Sequence, residues 1–401
     1  MTTPLRVAHI VTQLELGGAQ QNTLFTVSHL DPAHYNAVLI TGQPGLLDAE
    51  ARALPGVEFY QVLSLLRPIR PLADLRALWS LTALLRRLKP AIVHTHSSKA
   101  GILGRWAARL AGVPIIIHSI HGYGFTRYQH PLLRWLLIQL ERATCRVTTR
   151  FFAVSEANRR LGIDLGLFAA EHCTVIRSGV DLQALRQTRV NLVAKRRELG
   201  LEPGCPIIGM IAPLKPQKAP LDYVRMAALV RDSRPDARFL LVGDGELRPA
   251  VESEVGRLGL SGRFHLTGWR RDIPEIMRCL DVCVLTSLWE GLPRVYLEAL
   301  ASGVPVVGTR VDGAAEVILD GVNGYLLEPG DVPGLAERVL HLLANPDTAA
   351  RMGAEGQSLT DEFDIRAMVQ RHEREYERLV LALEERKSLS QAQGYGTSGK
   401  N

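Results

Sequence analysis

Short apolar runs of β-branched residues alternate with longer stretches of helical period along this chain, and the whole alternation starts again near its midpoint. In the first half the runs are Val7–Thr12, Ala37–Ile40, Ile92–Thr95, Ile115–His118 and Phe151–Val154. They are close to continuously apolar, as expected of strands covered on both faces in a parallel sheet. Helical patterns such as Leu72–Leu88 and Leu103–Ala111 lie between them. After a polar stretch around Asp181–Gly204, new runs follow at Ile207–Ala212, Arg238–Val242, Val282–Thr286 and Val304–Gly308. Strand–helix alternation of this kind specifies an α/β fold with parallel sheets. The restart specifies two doubly wound lobes, 1–183 and 184–360, with a crevice between them. In such sheets ligands bind beyond the carboxyl ends of the strands. A charged amphipathic helix is expected over 361–387, packed back on the first lobe. The Gly/Ser/Gln-rich stretch 388–401 is expected to be a disordered tail.

Composition narrows the function. The 401 residues suit two or three domains, and 46% hydrophobic with 22% charged residues describes a globular protein with ample core. The net charge of +6 favours anionic ligands, namely phosphates, nucleotides and acidic lipid surfaces. Lys and Arg are dispersed and form no dense block with interleaved aromatics, which argues against nucleic acid. The five cysteines are odd in number and include no Cys-x-x-Cys pair, so disulfides and a zinc site are not expected and a cytoplasmic location fits. The N-terminus lacks the h-region of a signal peptide, and the long uncharged stretches are broken by Gly, Pro and His, so no transmembrane helix is expected.

Four motifs fall at strand ends. Gly17-Gly18, between the first strand and a helix, lets backbone N–H groups approach a phosphate or sugar, although a plain turn has the same look. It is not a G-x-G-x-x-G fingerprint, so a dinucleotide cofactor gains little support. His94-Thr95-His96 and His118-Ser119-Ile120-His121-Gly122 invite a metal, but no carboxylate or cysteine accompanies them at ligand spacing, and none is expected. His94 and His118 read as core histidines within strands, and His121 as a group facing substrate. In Pro213-Leu214-Lys215-Pro216-Gln217-Lys218 a lysine at a strand end can neutralise a leaving diphosphate. The most specific motif is Ser287-Leu288-Trp289-Glu290-Gly291-Leu292-Pro293-Arg294-Val295-Tyr296-Leu297-Glu298-Ala299, ending at Ser302-Gly303. Pro293 suits the first helical turn and Gly303 the helix end. Glu290 then lies in the loop before the helix and Glu298 inside it. The N–H groups near Arg294 and Val295 make an anion site between two carboxylates.

This ordered set resembles the retaining GT-B glycosyltransferases usually called family 4, over nearly the whole chain. Ser302-Gly303-Val304-Pro305-Val306-Val307 and Asp320-Gly321-Val322-Asn323-Gly324 add to the resemblance. It implies the GT-B fold: two Rossmann-like lobes facing each other across the crevice. It implies that Glu298 binds the ribose, that Glu290 contacts the donor sugar, and that Lys218 with the backbone at Arg294–Val295 holds the diphosphate. Gly17 and Gly18 approach the phosphate and acceptor, His121 lines the reaction centre, and Trp269, in Gly268-Trp269-Arg270, borders the nucleobase. Pro213 stands where relatives often carry an Arg that joins the Lys on the diphosphate; Lys215 or Arg294 is the candidate substitute.

The activity so implied is retaining transfer from a nucleotide-sugar, UDP-linked by family frequency, to a saccharide or lipid-linked acceptor in cell-surface glycan biosynthesis. No Asp-x-Asp element is present, so no metal or other cofactor is expected. Front-face displacement fits, because no nucleophile is assignable. The stretch Arg127–Arg150 holds five Arg and one acid among Leu132, Leu133, Trp135, Leu136, Leu137 and Leu140. Such a face suits either ordinary packing or peripheral attachment to an anionic membrane. Two rivals stay open: a sugar-nucleotide epimerase of the same fold, and a scaffold that binds nucleotide-sugar without catalysis.

Overall fold

The computed structural model describes residues 4–202 and 204–397, with side chains as far as 389. The chain divides into two compact units. Unit 1 comprises Met1–Val154, Asn158–Arg177 and Arg366–Asn401, and unit 2 comprises Ser155–Ala157 and Ser178–Ile365.

Unit 1 is built on seven parallel strands: β1 (Leu5–Gln13), β2 (Tyr35–Gln43), β3 (Val57–Gln61), β4 (Ile92–His96), β5 (Ile115–Ile120), β6 (Arg150–Ala153) and β7 (Cys173–Val175). Their order is β3-β2-β1-β4-β5-β6-β7. The chain therefore winds outwards one way from β1, then returns and winds the other way from β4. The gap between β1 and β4 is the switch point where such sheets hold ligands. The core explains the small residues of the helix Ser98–Ala111. Its buried face is Ala100, Gly101, Gly104, Ala107 and Ala108. A Cβ on Gly104 would stand 2.9 Å from the Thr95 methyl, and one on Gly101 2.5 Å from the His118 ring. The helix thus lies closer to β4 and β5 than side chains would allow. Arg105, wholly buried, turns its guanidinium to Glu141 (2.6 Å), Thr148 and the Gly101 carbonyl. A buried cation is tolerated because each face of its fork meets an acceptor.

Unit 2 repeats the plan with six parallel strands: β8 (Ile207–Ile211), β9 (Arg238–Val242), β10 (Phe264–Gly268), β11 (Val282–Leu285), β12 (Val306–Thr309) and β13 (Gly324–Leu327). The order is β10-β9-β8-β11-β12-β13, so the switch point falls between β8 and β11. Tyr223, fully buried, donates its hydroxyl to the Ile208 carbonyl at 2.7 Å and so satisfies its one polar atom.

Strands β3, β7, β10 and β13 escaped the reading of apolar runs. They are sheet margins, short and only partly buried, so a continuous apolar run is not required of them. The last helix runs Ile365–Thr397 after a single tight turn at Asp361–Phe363. Its part from Arg366 onwards belongs to unit 1. The stretch read as a disordered tail begins inside this helix, and 398–401 lie outside the described residues. No helix among the described residues is long and apolar enough to cross a membrane.

Candidate active site

In unit 2 the two loops leaving β8 and β11 meet at the switch point. The β8 loop makes a tight turn, Pro216–Lys218, which ends on Ala219 in a left-handed conformation (φ 42°). The β11 loop, 286–293, leads into the helix Arg294–Ala301. The loops are laced together. The Thr286 hydroxyl donates to the carbonyls of Lys218 (2.8 Å) and Ala219 (2.9 Å). Leu288 N–H donates to the Gln217 carbonyl (2.8 Å), and the Gln217 amide donates to the Trp289 carbonyl (2.9 Å). This lacing fixes Lys218, whose ammonium forms an ion pair with Glu290. Both side chains are largely buried, so solvent screens the pair little. Glu290 also accepts from the Ser287 hydroxyl (2.6 Å), and its own backbone N–H donates to Asp312 (2.7 Å). Asp312 holds a strained φ of 35°, a conformation that costs energy for a residue with a Cβ.

The helix begins one residue later than its proline suggested. Pro293 is the N-cap, with ψ at 101°, and Arg294 is the first helical residue. Gly303 follows the C-cap with φ 77°, as a helix-ending glycine requires. Glu298 lies one turn in and faces Arg294 at 3.4 Å, both mostly buried. Burial lowers the Arg294 pKa and Glu298 partly restores it. Val295 is buried in the first turn, so it contributes backbone, not side chain. Lys218, Glu290, Arg294 and Glu298 are thus joined by adjacent loops and one helix, two cations beside two carboxylates at a positive helix end. Trp269 follows β10 on the far side of β9 and is more exposed than these. Lys215 stands as N-cap of the Pro216–Lys218 turn. Asp312 was not singled out in the sequence, and Ser287, Thr286 and Gln217, which lie within the motifs and strand run, were given no role. Loop Ser, Thr, Gln and Asp are common, and only the fold reveals what they hold.

In unit 1, Gly17 caps the helix Gly18–His29 with an extended φ of −127°. Any residue adopts that angle, and a Cβ there would meet only the Gln20 side chain, at 2.6 Å. The glycine is therefore not demanded by backbone conformation, and what it supplies is an uncovered approach to the helix N-terminus. His121 follows β5, ahead of Gly122 at φ 128°. Its Nε2 lies 3.0 Å from His96 Nδ1, and burial pushes its pKa down to about 4. His94 and His118 are buried within strands and hydrogen-bonded to Ser119 and Tyr376, and to Thr95, as the sequence suggested for core histidines. At the β1–β4 switch point a cavity of about 580 Å³ opens, lined by Thr12, Gln20, Ser97 and Gly124 and walled by Leu133, Leu137 and Leu140. The helix Pro131–Cys145 that supplies this wall leaves Leu132, Trp135 and Leu136 exposed. The helix Pro71–Leu88, which borders the same cavity through Asp74, exposes Leu72, Leu75 and Trp79. That second apolar face was not singled out in the sequence. The five cysteines are all free thiols.

Comparison with known proteins decides what this arrangement belongs to. Residues 205–345 match the family model described as glycosyl transferases group 1, and residues 17–179 match the glycosyl transferase 4-like domain. Over 335 residues the chain is 34% identical to the UDP-Gal:α-D-GlcNAc-diphosphoundecaprenol α-1,3-galactosyltransferase of Escherichia coli, covering 82% of this chain and 85% of that one. It belongs to the group 1 glycosyl transferases. A second relative of this transferase is the N,N'-diacetylbacillosaminyl-diphospho-undecaprenol α-1,3-N-acetylgalactosaminyltransferase of Campylobacter jejuni, 25% identical, covering 78% of this chain and 83% of that one. Among solved structures, Anabaena HepE in complex with UDP and glucose superposes with a TM-score of 0.80 at 22% identity, over 93% of this chain and all of that one. That likeness bears out the two-lobed GT-B α/β fold. The transferase activity expected from the motifs is borne out by the family match and the relative from Escherichia coli.

Proposed function

We propose that this transferase moves a sugar from a UDP-sugar to a saccharide carried on a lipid diphosphate, with retention of anomeric configuration and without a metal ion. The Lys218–Glu290 pair at the β8–β11 switch point carries this reading. A diphosphate entering there meets Lys218 and the positive end of the helix Arg294–Ala301, and charge-assisted contacts of this sort are worth about 1.5–3 kcal/mol each. Glu290, released from Lys218, turns to the donor sugar, and Glu298 exchanges Arg294 for the ribose hydroxyls. Arg294 then supplies the second cation that the Pro213 position lacks. Trp269 borders the base. In unit 1, Gly17 and Gly18 receive phosphate or acceptor, and His121, neutral at physiological pH, meets a sugar hydroxyl.

Chemistry follows from charge. The bond from the anomeric carbon to the diphosphate breaks as negative charge gathers on the leaving oxygens, and Lys218, Arg294 and the helix N–H groups stabilise it in place. The acceptor hydroxyl attacks from the same face and passes its proton to the departing phosphate. No divalent cation is needed, because fixed cations serve the leaving group. EDTA is expected to leave the rate unchanged.

The acceptor assignment draws on two relatives named for diphosphoundecaprenol substrates and on the unit 1 cavity, whose Leu133–Leu137–Leu140 wall suits an apolar chain. Exposed Trp135, Leu136, Leu75 and Trp79 beside it suit attachment to an anionic membrane surface from the cytoplasmic side. Saturation-transfer NMR against UDP-, GDP- and ADP-sugars tests the donor. Binding of UDP-sugars that is lost in Glu298→Ala supports the assignment. Selective binding of another nucleotide overturns UDP, and failure of every nucleotide to bind the folded protein overturns the donor site.

A further inference from the structure

Six side chains of unit 1 form one continuous hydrogen-bonded file, of which the chemistry above uses His121 alone. His121 Nε2 meets His96 Nδ1 at 3.0 Å, and His96 Nε2 meets His9 Nδ1 at 3.0 Å. His9 Nε2 lies 3.5 Å from the Tyr376 hydroxyl, the longest link. Tyr376 then meets His94 Nδ1 at 2.6 Å, and His94 Nε2 meets the Ser119 hydroxyl at 2.7 Å. The file draws on β1, β4, β5, the loop after β5 and the last helix. His9, His94 and Tyr376 are fully buried, and His96 nearly so.

Counting protons shows what such a file does. A neutral imidazole carries one N–H and one bare nitrogen. Each link needs one hydrogen and no more. If His121 Nε2 carries its proton, then His96 Nε2, His9 Nε2, the Tyr376 hydroxyl and His94 Nε2 must donate in turn towards Ser119. If His121 Nε2 is bare, every link reverses, and Ser119 donates into the file. Both states are neutral throughout, and both satisfy every link. They differ at the reaction-centre end alone: His121 Nδ1, which has no partner among the described residues, is a bare acceptor in the first and an N–H donor in the second. The tautomer of His121 is therefore tied to residues as far away as the last helix, and the second state is the one that gives the buried Ser119 hydroxyl proton an acceptor within the file. Burial keeps the rings neutral, which the count requires; desolvation holds His9 at about 3 and His121 at about 4, and pushes His94 and His96 well below the usual histidine range.

We propose that Tyr376, with the His9–His96 pair, positions His121 for catalysis by fixing its ring orientation and locking it in one tautomer. The proposal rests on His121 being a reaction-centre group. His9, His94 and His96 also bring nitrogens within 4.8 Å of one another, close enough for a metal ion. Against that occupant, both nitrogens of each of the three rings are already engaged in the file.

The test is tautomer-resolved NMR of the full chain labelled with ¹⁵N-histidine, as purified. Wild type is expected to show His121 as one tautomer, with one protonated-type and one bare-type nitrogen. In Tyr376→Phe, His121 is expected to move towards the averaged shifts of a free imidazole. With it, kcat falls about 10- to 100-fold while donor KM stays within about twofold, the loss being set by the range seen when the partner that orients a metal-ligating histidine is removed. Should Tyr376→Phe fail to fold, His96→Gln, which breaks the first link, is read the same way. An averaged His121 in wild type overturns the proposal, as does an unchanged His121 in a folded variant. So does stoichiometric metal with metal-bound shifts at His9, His94 and His96. Full activity of His121→Ala, where the wild-type protein does show His121 as one tautomer, overturns the reaction-centre role of His121 on which the proposal stands.

Discussion

Glu290→Gln separates binding from turnover, because the carboxylate is expected to oppose the one and support the other. In the unliganded protein Glu290 occupies Lys218, with side-chain exposures of 8% and 15%. Glutamine keeps the size and can still accept from Ser287, but removes the charge. Lys218 is left largely buried without its counter-ion. Full burial would make that cost about 3–5 kcal/mol. With the remaining exposure and an amide oxygen still in reach, about 1–2 kcal/mol is expected, and a unit of this size should lose about 2–8 °C in melting temperature. UDP then binds a lysine it need not win from Glu290. A charge-assisted contact is worth about 1.5–3 kcal/mol, and recovering part of it should tighten UDP about tenfold. Turnover moves the other way. Loss of a charged group beside the transferring carbon is expected to lower kcat by about 10²–10³. Titration calorimetry with UDP, melting with and without UDP, and UDP release in the presence of acceptor measure the three terms. UDP binding that weakens along with turnover would refute the competition between Glu290 and the diphosphate, and so would UDP binding that does not change.

Acid should destabilise unit 1. His9 and His372 have pKa values lowered by burial to about 3 and about 4, against 6.5 for the free side chain. Above pH 6.5 neither state binds the proton; below it the unfolded chain does and the folded one does not. Stability should therefore fall by about 1.4 kcal/mol per pH unit for each ring between pH 6.5 and about pH 4, visible as a melting temperature that drops from pH 7 to pH 5, and a flat profile would contradict it. Arg105→Ala leaves Glu141 without its buried partner, so about 3–5 kcal/mol of stability should be lost by denaturant titration; a loss under 1 kcal/mol would contradict the pairing. Gly308→Ala places a Cβ 1.9 Å from the Tyr296 hydroxyl. It should displace the helix Arg294–Ala301 and weaken UDP binding, while Gly308→Ala with Tyr296→Phe should recover part of the loss. Trp135→Glu with Leu136→Glu should reduce flotation with anionic liposomes severalfold without altering UDP binding, and unchanged flotation would remove this face from the membrane assignment.

Much of the architecture was written in local pattern. Strands buried on both faces tend to be continuously apolar, so Ile207–Ile211 and Val282–Leu285 declare themselves, whereas the margins β3, β7, β10 and β13 carry no such obligation. The helix cap at Pro293 and the stop at Gly303 were legible to within a residue, because each answers a backbone requirement. Lys218, Glu290 and Glu298 were readable as a set. Their pairing was not, since it depends on β8 and β11 lying side by side. Nor did the sequence announce the partners of His121. His9 reads as one polar residue in a strand, and Tyr376 stands 367 positions away from it. Contacts of that separation exist only once the sheet and the last helix are in place.

The most direct test of the central claim is transfer itself. Purified protein would be incubated with each UDP-sugar and a saccharide-diphosphoprenol acceptor, the lipid product extracted, and its new linkage read by NMR. One UDP-sugar should yield a glycosylated lipid whose new bond keeps the donor's anomeric configuration, with UDP released only when acceptor is present. A product of inverted configuration would contradict retention, UDP release without acceptor would contradict transfer, and no extension of any lipid-linked acceptor would contradict the acceptor class.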